Sequence, residues 1–338
     1  MTFNNDCKEL KLRATLSSPL LRDHRQENYC YNSCNPIFHG ANNKCHYPRK
    51  IMTEPDLERI RQHLENIVGE RNPFTQPKHL ENTAQYISDQ FEAMGLKVTR
   101  ETVEFEGTRS QNILAHTTGD TDNLFVLAAH YDTVPDSPGA DDNASAVSAL
   151  LEIARTLSQT SHKKSLILSA FTLEECGFIG AKHFIDHDPE RKQCISGMIS
   201  LEMVGFKNTE PDSQDYPPYV DPNQYPNTGD FIAVVGNEHS AGLAQALAQT
   251  MSLSTPALNV ETLVVPGQGD SFSEVRLSDH SPFWDAGIPA VMVTDTAFFR
   301  NPNYHQPSDT LETLDLEFIR DNVQAVTAFL KQFLNQTG

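Results

Sequence analysis

The stretch Val126-Leu-Ala-Ala-His130-Tyr-Asp132-Thr-Val-Pro135, followed closely by Pro138-Gly-Ala-Asp141-Asp142-Asn143-Ala-Ser145, limits what this chain can fold into. An apolar run ends abruptly in His and Asp, breaks into a loop of Pro, Gly and Asp, and resumes as a helix from Ala144. A buried strand that delivers polar groups to the carboxyl edge of a sheet has this form. Strand side chains repeat every two residues, so His130 and Asp132 point the same way. An imidazole beside a carboxylate suits a metal ligand steadied by an acid, but a lone His-x-Asp is also an ordinary solvated strand end. The rest of the sequence has to decide between them.

Regular patterning starts near Glu54, with Leu57, Ile60, Leu64 and Ile67 at helical spacing, and a second helix runs from His79 to Met94 before Gly95. Strands are expected at Val98 to Phe105, at Gln111 to Ala115 and up to His130. After the helix Ala144 to Leu157, further strands are expected at Ser165 to Thr172, Cys194 to Glu202, Phe231 to Val235, Leu263 to Val265 and Ala290 to Thr294. Helices at Phe178 to Ile185, Ala241 to Met251, a short one opened by Ser278 to Trp284, and an amphipathic one from Leu316 to Leu334 alternate with them. This is an α/β pattern: a mixed, mostly parallel central sheet with helices on both faces, and ligands gathering beyond the carboxyl ends of strands. One domain over residues 51–338 is the simplest division. Residues 207–229, heavy in Pro, Asp, Asn and Tyr, are longer than a passive connection needs and are expected to shape a pocket rim.

Residues 1–50 show neither period and are expected to be a disordered or loosely attached extension. They hold four of the six cysteines, Cys7, Cys30, Cys34 and Cys45, whose spacing with His39 and His46 fits no standard zinc module. The net charge of -19 is uneven: residues 1–50 carry 8 Lys/Arg against 4 Asp/Glu, and the remainder 18 against 41. So acidic a body repels nucleic acid and anionic membrane surfaces, so neither is an expected partner. No apolar run approaches the roughly 18 residues of a membrane span, and a soluble chain is expected. The chain as written opens on no secretion signal and does not demand an oxidising compartment, which makes the cytoplasm the default location.

Successive strand ends, and the loops that follow them, carry metal-compatible groups: His130 with Asp132, then Asp142, then Glu174-Glu175, then Glu202. His305 in a late loop is a fifth. Each alone has an ordinary explanation on an acidic surface. A random acidic surface would seldom place them all at carboxyl edges, and together they predict a metal site.

On these residues the chain resembles the M28 family of zinc aminopeptidases, through most of residues 51–338. Six ordered blocks carry the resemblance: Ala129-His-Tyr-Asp-Thr-Val134, Pro138-Gly-Ala-Asp-Asp-Asn-Ala-Ser145, Leu173-Glu-Glu-Cys-Gly-Phe-Ile-Gly180, Ser200-Leu-Glu-Met-Val-Gly205, Ser278-Asp-His-Ser-Pro-Phe283 and Tyr304-His-Gln-Pro-Ser-Asp-Thr310. The related M20 peptidases share the first block but lack the second so soon after it. The resemblance implies a zinc-exopeptidase fold of the phosphorylase/hydrolase type with two zinc ions per chain. Asp142 would bridge them, with His130 and Glu202 on one ion, Glu175 and His305 on the other, and Asp132 orienting His130 from behind. Glu174 would be the general base toward a metal-bridged water, passing its proton to the leaving amine. Tyr304 would hydrogen-bond the oxyanion. Asp279 and His280 match a block without a clear chemical role, and a helix cap and a core hydrogen bond are expected of them.

The activity so implied is that of a monomeric aminopeptidase acting on peptides with a free N-terminus. Two departures stand out: Glu202 replaces the Asp of the best-studied pattern, and position 143 is Asn, a variant the family tolerates, with a cis peptide implied after Asp142. Alternatives on the same fold are a glutaminyl cyclase-like acyltransferase, which works with one zinc, and a carboxypeptidase, for which Arg276 or Arg300 would bind the terminal carboxylate. From another class comes a metal-free binding or scaffold homologue, which would lose its ligands first. Family members are often exported, so the resemblance leaves the location open.

Overall fold

In the computed structural model, which describes residues 55–336, capping and burial explain where the helices begin and which way they face. The expected N-terminal extension, with Cys7, Cys30, Cys34, His39, Cys45 and His46, lies outside the described residues. Helix α1 (Leu57–Ile67) starts where the Asp56 carboxylate accepts the Glu58 amide, and buries Ile60, His63, Leu64 and Ile67 on one face. Helix α2 (Pro77–Ala93) opens on a proline, whose missing N–H costs nothing there. Strands β1 (Lys97–Phe105) and β2 (Thr108–Thr117) form a hairpin through Glu106 and Gly107, with φ of 47° and 81°, as a two-residue turn of this hand requires. Then come β3 (Leu124–His130), α3 (Ala146–Leu157), β4 (Ser165–Phe171), α4 (Ile179–His187), α5 (Pro189–Cys194) and β5 (Ile195–Glu202). The chain continues through β6 (Phe231–Asn237), α6 (Ala241–Ser254), β7 (Asn259–Val265), α7 (His280–Asp285), β8 (Ala290–Thr294) and α8 (Leu316–Phe333).

The strands form one mixed sheet in the order β1-β2-β4-β3-β5-β8-β6-β7. Strands β4, β3, β5 and β8 are parallel, so their carboxyl ends share one edge. The hairpin is antiparallel to β4 on one side. On the other, β6 and β7 are parallel to each other but antiparallel to β8. The starts of β6 and β7 therefore lie beside the end of β8. Alternate residues serve opposite layers: Phe125, Leu127 and Ala129 pack with residues of α1, α2, α3, α6 and α8, while Val126 and Ala128 join a second core with α4 and α7.

Strand β2 and helix α6 run longer than expected, to Thr108–Thr117 and Ala241–Ser254, and three further elements differ for reasons the structure shows. Helix α3 starts at Ala146 instead of Ala144, because residues 140–145 form a wide turn in which Asp142 and Asn143 have non-helical backbone angles. Helix α5 was not expected; none of its six residues is buried, so no apolar period marks it, and its local signals are Asp188, which accepts the Arg191 amide, and Pro189 at its first position. Strand β7 reaches back to Asn259 through partly exposed polar residues, as suits a sheet edge. Among the described residues no helix is long and apolar enough to cross a membrane.

Phe125 ties the middle of the sheet to α8: it is fully buried, and its ring centroid lies 4.8 Å from that of Phe333. Phe125→Ala should lower the unfolding free energy by about 3–5 kcal/mol in urea titrations. A much smaller loss would mean that α8 is not anchored there.

Candidate metal centre

Strands β3 and β5 end at His130 and Glu202, and Glu174 and Glu175 follow β4, so three neighbouring parallel strands bring these groups to one edge. Asp142 arrives in the wide turn before α3, and His305, at φ 57°, in the loop between β8 and α8. Nε2 of His130 lies 3.3 Å from Asp142 Oδ1 and 3.5 Å from Glu202 Oε2. Nε2 of His305 lies 3.1 Å from Asp142 Oδ2 and 3.3 Å from Glu175 Oε2. Two three-residue clusters, His130–Asp142–Glu202 and Asp142–Glu175–His305, thus share Asp142, whose two oxygens face different histidines. Glu174 Oε2 is 3.9 Å from His130 Nε2 but belongs to neither cluster.

Asp142 Oδ1, Glu175 Oε1 and His305 Nε2 are buried without a hydrogen-bond partner among the described residues. Orphaned buried atoms spread over two adjoining clusters call for cations, and an imidazole–carboxylate set suits zinc. The electrostatics agree. Burial pushes the Glu174 carboxyl well above the usual range, against the pull of His130 and with the push of Glu202 and Glu175. Glu175 is driven up to about 7 by burial and by Asp142, and Glu202 is also raised by burial. Burial would raise Asp142 as well, but the close imidazoles of His130 and His305 outweigh it and hold the group below the usual carboxylate range. Both histidines rise against their own burial: His305 is lifted to about 10 by Asp142 and Glu175, and His130 well above its ordinary value by Glu174 and Glu202. Protons thus sit where a divalent cation would serve the same carboxylates.

The supporting contacts are mostly to backbone. Asp132 Oδ1 is 3.6 Å from His130 Nδ1, too long for a hydrogen bond. Its two oxygens accept the amides of Glu174 and Glu175, at 3.0 and 3.2 Å, so Asp132 also positions the segment carrying both acids. Ser278 Oγ donates to Glu202 Oε2 at 2.7 Å. The Asp142–Asn143 peptide is cis, and the Asn143 side chain donates to Leu201 O and accepts from the Met203 amide, which ties the turn to the end of β5.

Two supports were not picked out from sequence. Asp309 accepts the amides of Asp141 and Asp142 at 2.9 and 3.1 Å; its place in the last of the six blocks was the available signal. Arg71, fully buried, donates to the carbonyls of Tyr131, Ile67, Gly69, Pro138 and Gly139, and no motif marks it. Burial lowers its pKa to about 10 despite Asp309 and Asp142. Gly139 is required here: its φ is +61°, and a Cβ would fall 2.3 Å from Thr133 Cγ2.

Asp279 corrects an expectation. It holds the position before α7, but its side chain makes no capping bond, and both oxygens are buried without a partner among the described residues. Burial raises its carboxyl well above the usual range. His280 does make the core hydrogen bond, Nε2 donating to Val275 O at 2.8 Å. Tyr304 stacks on His305 with ring centroids 3.8 Å apart, and burial with the nearby carboxylates keeps its hydroxyl protonated.

Beside Glu202 and Tyr304 opens a cavity of about 830 Å³, counting its mouth, lined by Tyr216, Tyr219, Tyr225 and Phe231 among others. Much of its rim comes from residues 214–225. The guanidinium of Arg300 donates from Nε to Gln214 Oε1 and from Nη1 to Phe231 O, with Nη2 buried and unpartnered among the described residues, and that of Arg276 donates to Gln268 O and Asp285.

Residues 112–330 match the profile of peptidase family M28. The chain is 34% identical over 293 residues to YfbL of Escherichia coli (strain K12), itself described as uncharacterized, covering 84% of this chain and 89% of that protein. The LapA aminopeptidase of Legionella pneumophila has a similar fold, with a TM-score of 0.67 at 21% identity, over 85% of this chain and 74% of that one. BSAP, a zinc aminopeptidase from Bacillus subtilis, aligns at 25% identity and a TM-score of 0.53, over 69% of this chain and 52% of that one. The chain therefore spans most of the E. coli relative and about half of the B. subtilis enzyme.

Zinc added to metal-stripped protein at a hundred times its Kd should stabilise the fold by about 2.7 kcal/mol, seen as a higher calorimetric Tm that chelation reverses. The gain should shrink toward pH 5, because the ligand histidines must first lose their protons; an unchanged Tm would count against the centre. A second pH effect comes from His280, whose pKa burial lowers from 6.5 to about 4. Below 6.5 the unfolded chain takes up a proton that the folded one refuses, so stability is complete above that pH and is lost as pH falls toward 4. The loss should reach about 3 kcal/mol, and a metal-free His280→Asn variant should show a flatter profile in urea titrations.

Proposed function

The chain belongs to peptidase family M28, and we propose that it is a co-catalytic zinc aminopeptidase that removes residues from the free amino terminus of peptides. The observation that carries this is the sharing of Asp142 between two ligand clusters, with Glu174 buried beside them and outside both. His130, Asp142 and Glu202 would hold one zinc, and Asp142, Glu175 and His305 the other, within a peptidase domain over residues 51–338. Bound zinc supplies a Lewis acid for the scissile carbonyl and lowers the pKa of water.

The chain's own groups do the rest. Glu174, held by the Asp132 contact to its amide, takes the proton of the attacking water and returns it to the leaving amine. Its burial suits it to hold that proton in between. Tyr304, kept neutral, donates its hydroxyl hydrogen bond to the oxygen on which charge develops. Carboxylates outnumber imidazoles around the centre, which favours a free amine at this end of the cavity over an acylated one. A carboxypeptidase gains little support, since Arg276 donates to Gln268 O and Asp285 and Arg300 keeps only a buried Nη2 unpartnered among the described residues. A one-zinc acyltransferase or a metal-free scaffold would leave converging ligands without a task. Of the few exposed large apolar residues among those described, Leu277 and Phe298 line the cavity, and only Phe74, Leu253 and Val264 lie elsewhere, which favours a monomer.

Purified protein should hold two zinc per chain by plasma mass spectrometry and hydrolyse free aminoacyl p-nitroanilides but not their N-acetyl forms. Glu174→Gln should lower kcat about a hundredfold to ten-thousandfold with zinc content and Tm preserved. Activity that survives exhaustive chelation, or equal turnover of acetylated substrates, would overturn the proposal.

A further inference from the structure

The cavity beside the metal centre has a floor drawn by strand register. Glu202 of β5 pairs with Thr294 of β8, Thr294 with Ala233 of β6, and Ala233 with Glu261 of β7, one row across four strands. The next row on that face runs Ser200, Met292, Val235, Leu263. Small and apolar residues thus make a trough with a carboxylate at each end, three strand spacings or roughly 14 Å apart. Glu202 belongs to the metal centre. The Glu261 carboxylate, half-buried in the cavity wall, has no hydrogen bond or ion pair with any described residue.

Around that far end stand Tyr216 and Tyr225, with ring centroids 5.7 Å apart and both within electrostatic range of Glu261. Their hydroxyls are spent on Pro226 O and Thr262 O, so what they offer a guest is ring surface. Glu274, half-exposed, adds negative charge at the mouth, and Arg300 turns Nη1 to Phe231 O and Nε to Gln214, leaving only Nη2 buried without a hydrogen-bond partner among the described residues. Aromatic faces with an unpaired carboxylate, reached over an apolar floor, suit a cation on an aliphatic stem.

We propose, resting on the aminopeptidase assignment, that this trough selects peptides beginning with arginine or lysine, with Glu261 pairing the side-chain cation between Tyr216 and Tyr225. An extended arginine stem covers about half of the trough. The metal ligands and the substrate Cα take up one end, and a charge-assisted hydrogen bond takes up the other. A leucine side chain stops over Thr294 and Ala233 and leaves Glu261 unpaired.

The test uses the zinc-loaded full chain, wild type and Glu261→Gln. Arginyl, lysyl, leucyl and citrullyl p-nitroanilides give kcat/KM, and calorimetric titration with L-argininamide and L-citrullinamide reads binding without turnover. Arginine and lysine should exceed leucine and neutral, near-isosteric citrulline by at least about tenfold, and Glu261→Gln should cut the arginine-to-citrulline ratio by about ten- to a hundredfold in both assays. Preference for leucine in the wild type, or a ratio untouched by Glu261→Gln, overturns the proposal. If no nitroanilide is turned over, the aminopeptidase assignment fails by itself. Calorimetry then still decides the trough: an arginine preference lost in Glu261→Gln supports it, and equal binding of the two amides overturns it.

Discussion

Mutual repulsion among buried carboxylates is the constraint around which this protein is built. Asp132, Asp142, Glu174, Glu202 and Asp279 are all buried near two imidazoles, with Glu175 beside them. Left alone, so many acids in a place from which water is excluded would neutralise themselves or force the site open. The fold offsets this in part by spending backbone hydrogen bonds on two acids outside the clusters, Asp132 and Asp309. Asp132 takes two amides from the segment after β4, and Asp309 takes two from the wide turn. Apart from Glu202 Oε2, which accepts from Ser278, the oxygens of the proposed ligands have no hydrogen-bond donor among the described residues to satisfy them, and that unmet demand suits a cation.

What could be seen in advance follows from this division. His130, Asp142, Glu174, Glu175 and Glu202 were legible because each follows an apolar strand or a loop rich in Gly and Pro, patterns that depend on neighbours in sequence. Arg71 was not, since its five acceptors are backbone carbonyls, and a carbonyl looks the same whatever residue owns it. Asp279 misled for a related reason: a residue before a short helix is expected to cap it, but here the side chain turns into the buried acidic cluster. The row from Glu202 to Glu261 was hidden more deeply. It exists only because β6 inserts antiparallel between β8 and β7, and strand order is not written in any local pattern.

The same strand order separates two tasks. The parallel strands β4, β3 and β5 end together and carry most of the proposed ligands, while the reversed pair β6 and β7 supplies the wall of the adjoining cavity. The two regions meet at β8, where Thr294 stands next to Glu202. Substitutions on β7 can therefore reshape the cavity without touching any metal-facing side chain or the amides that hold it. A protein arranged this way can alter what it recognises while its centre stays fixed.

Arg71 has a bearing on where this protein can be divided. Residues 112–330 contain every side chain that faces the two clusters, so a minimal fragment chosen by its ligands would begin after the first two helices. Yet the loop that carries Asp142 is hung on a guanidinium from the segment between those helices, and the carbonyls of Pro138 and Gly139 would lose their shared donor. Such a fragment would keep the full inventory of chemical groups and forfeit their arrangement. The functional unit is therefore longer than the part of the chain that looks functional.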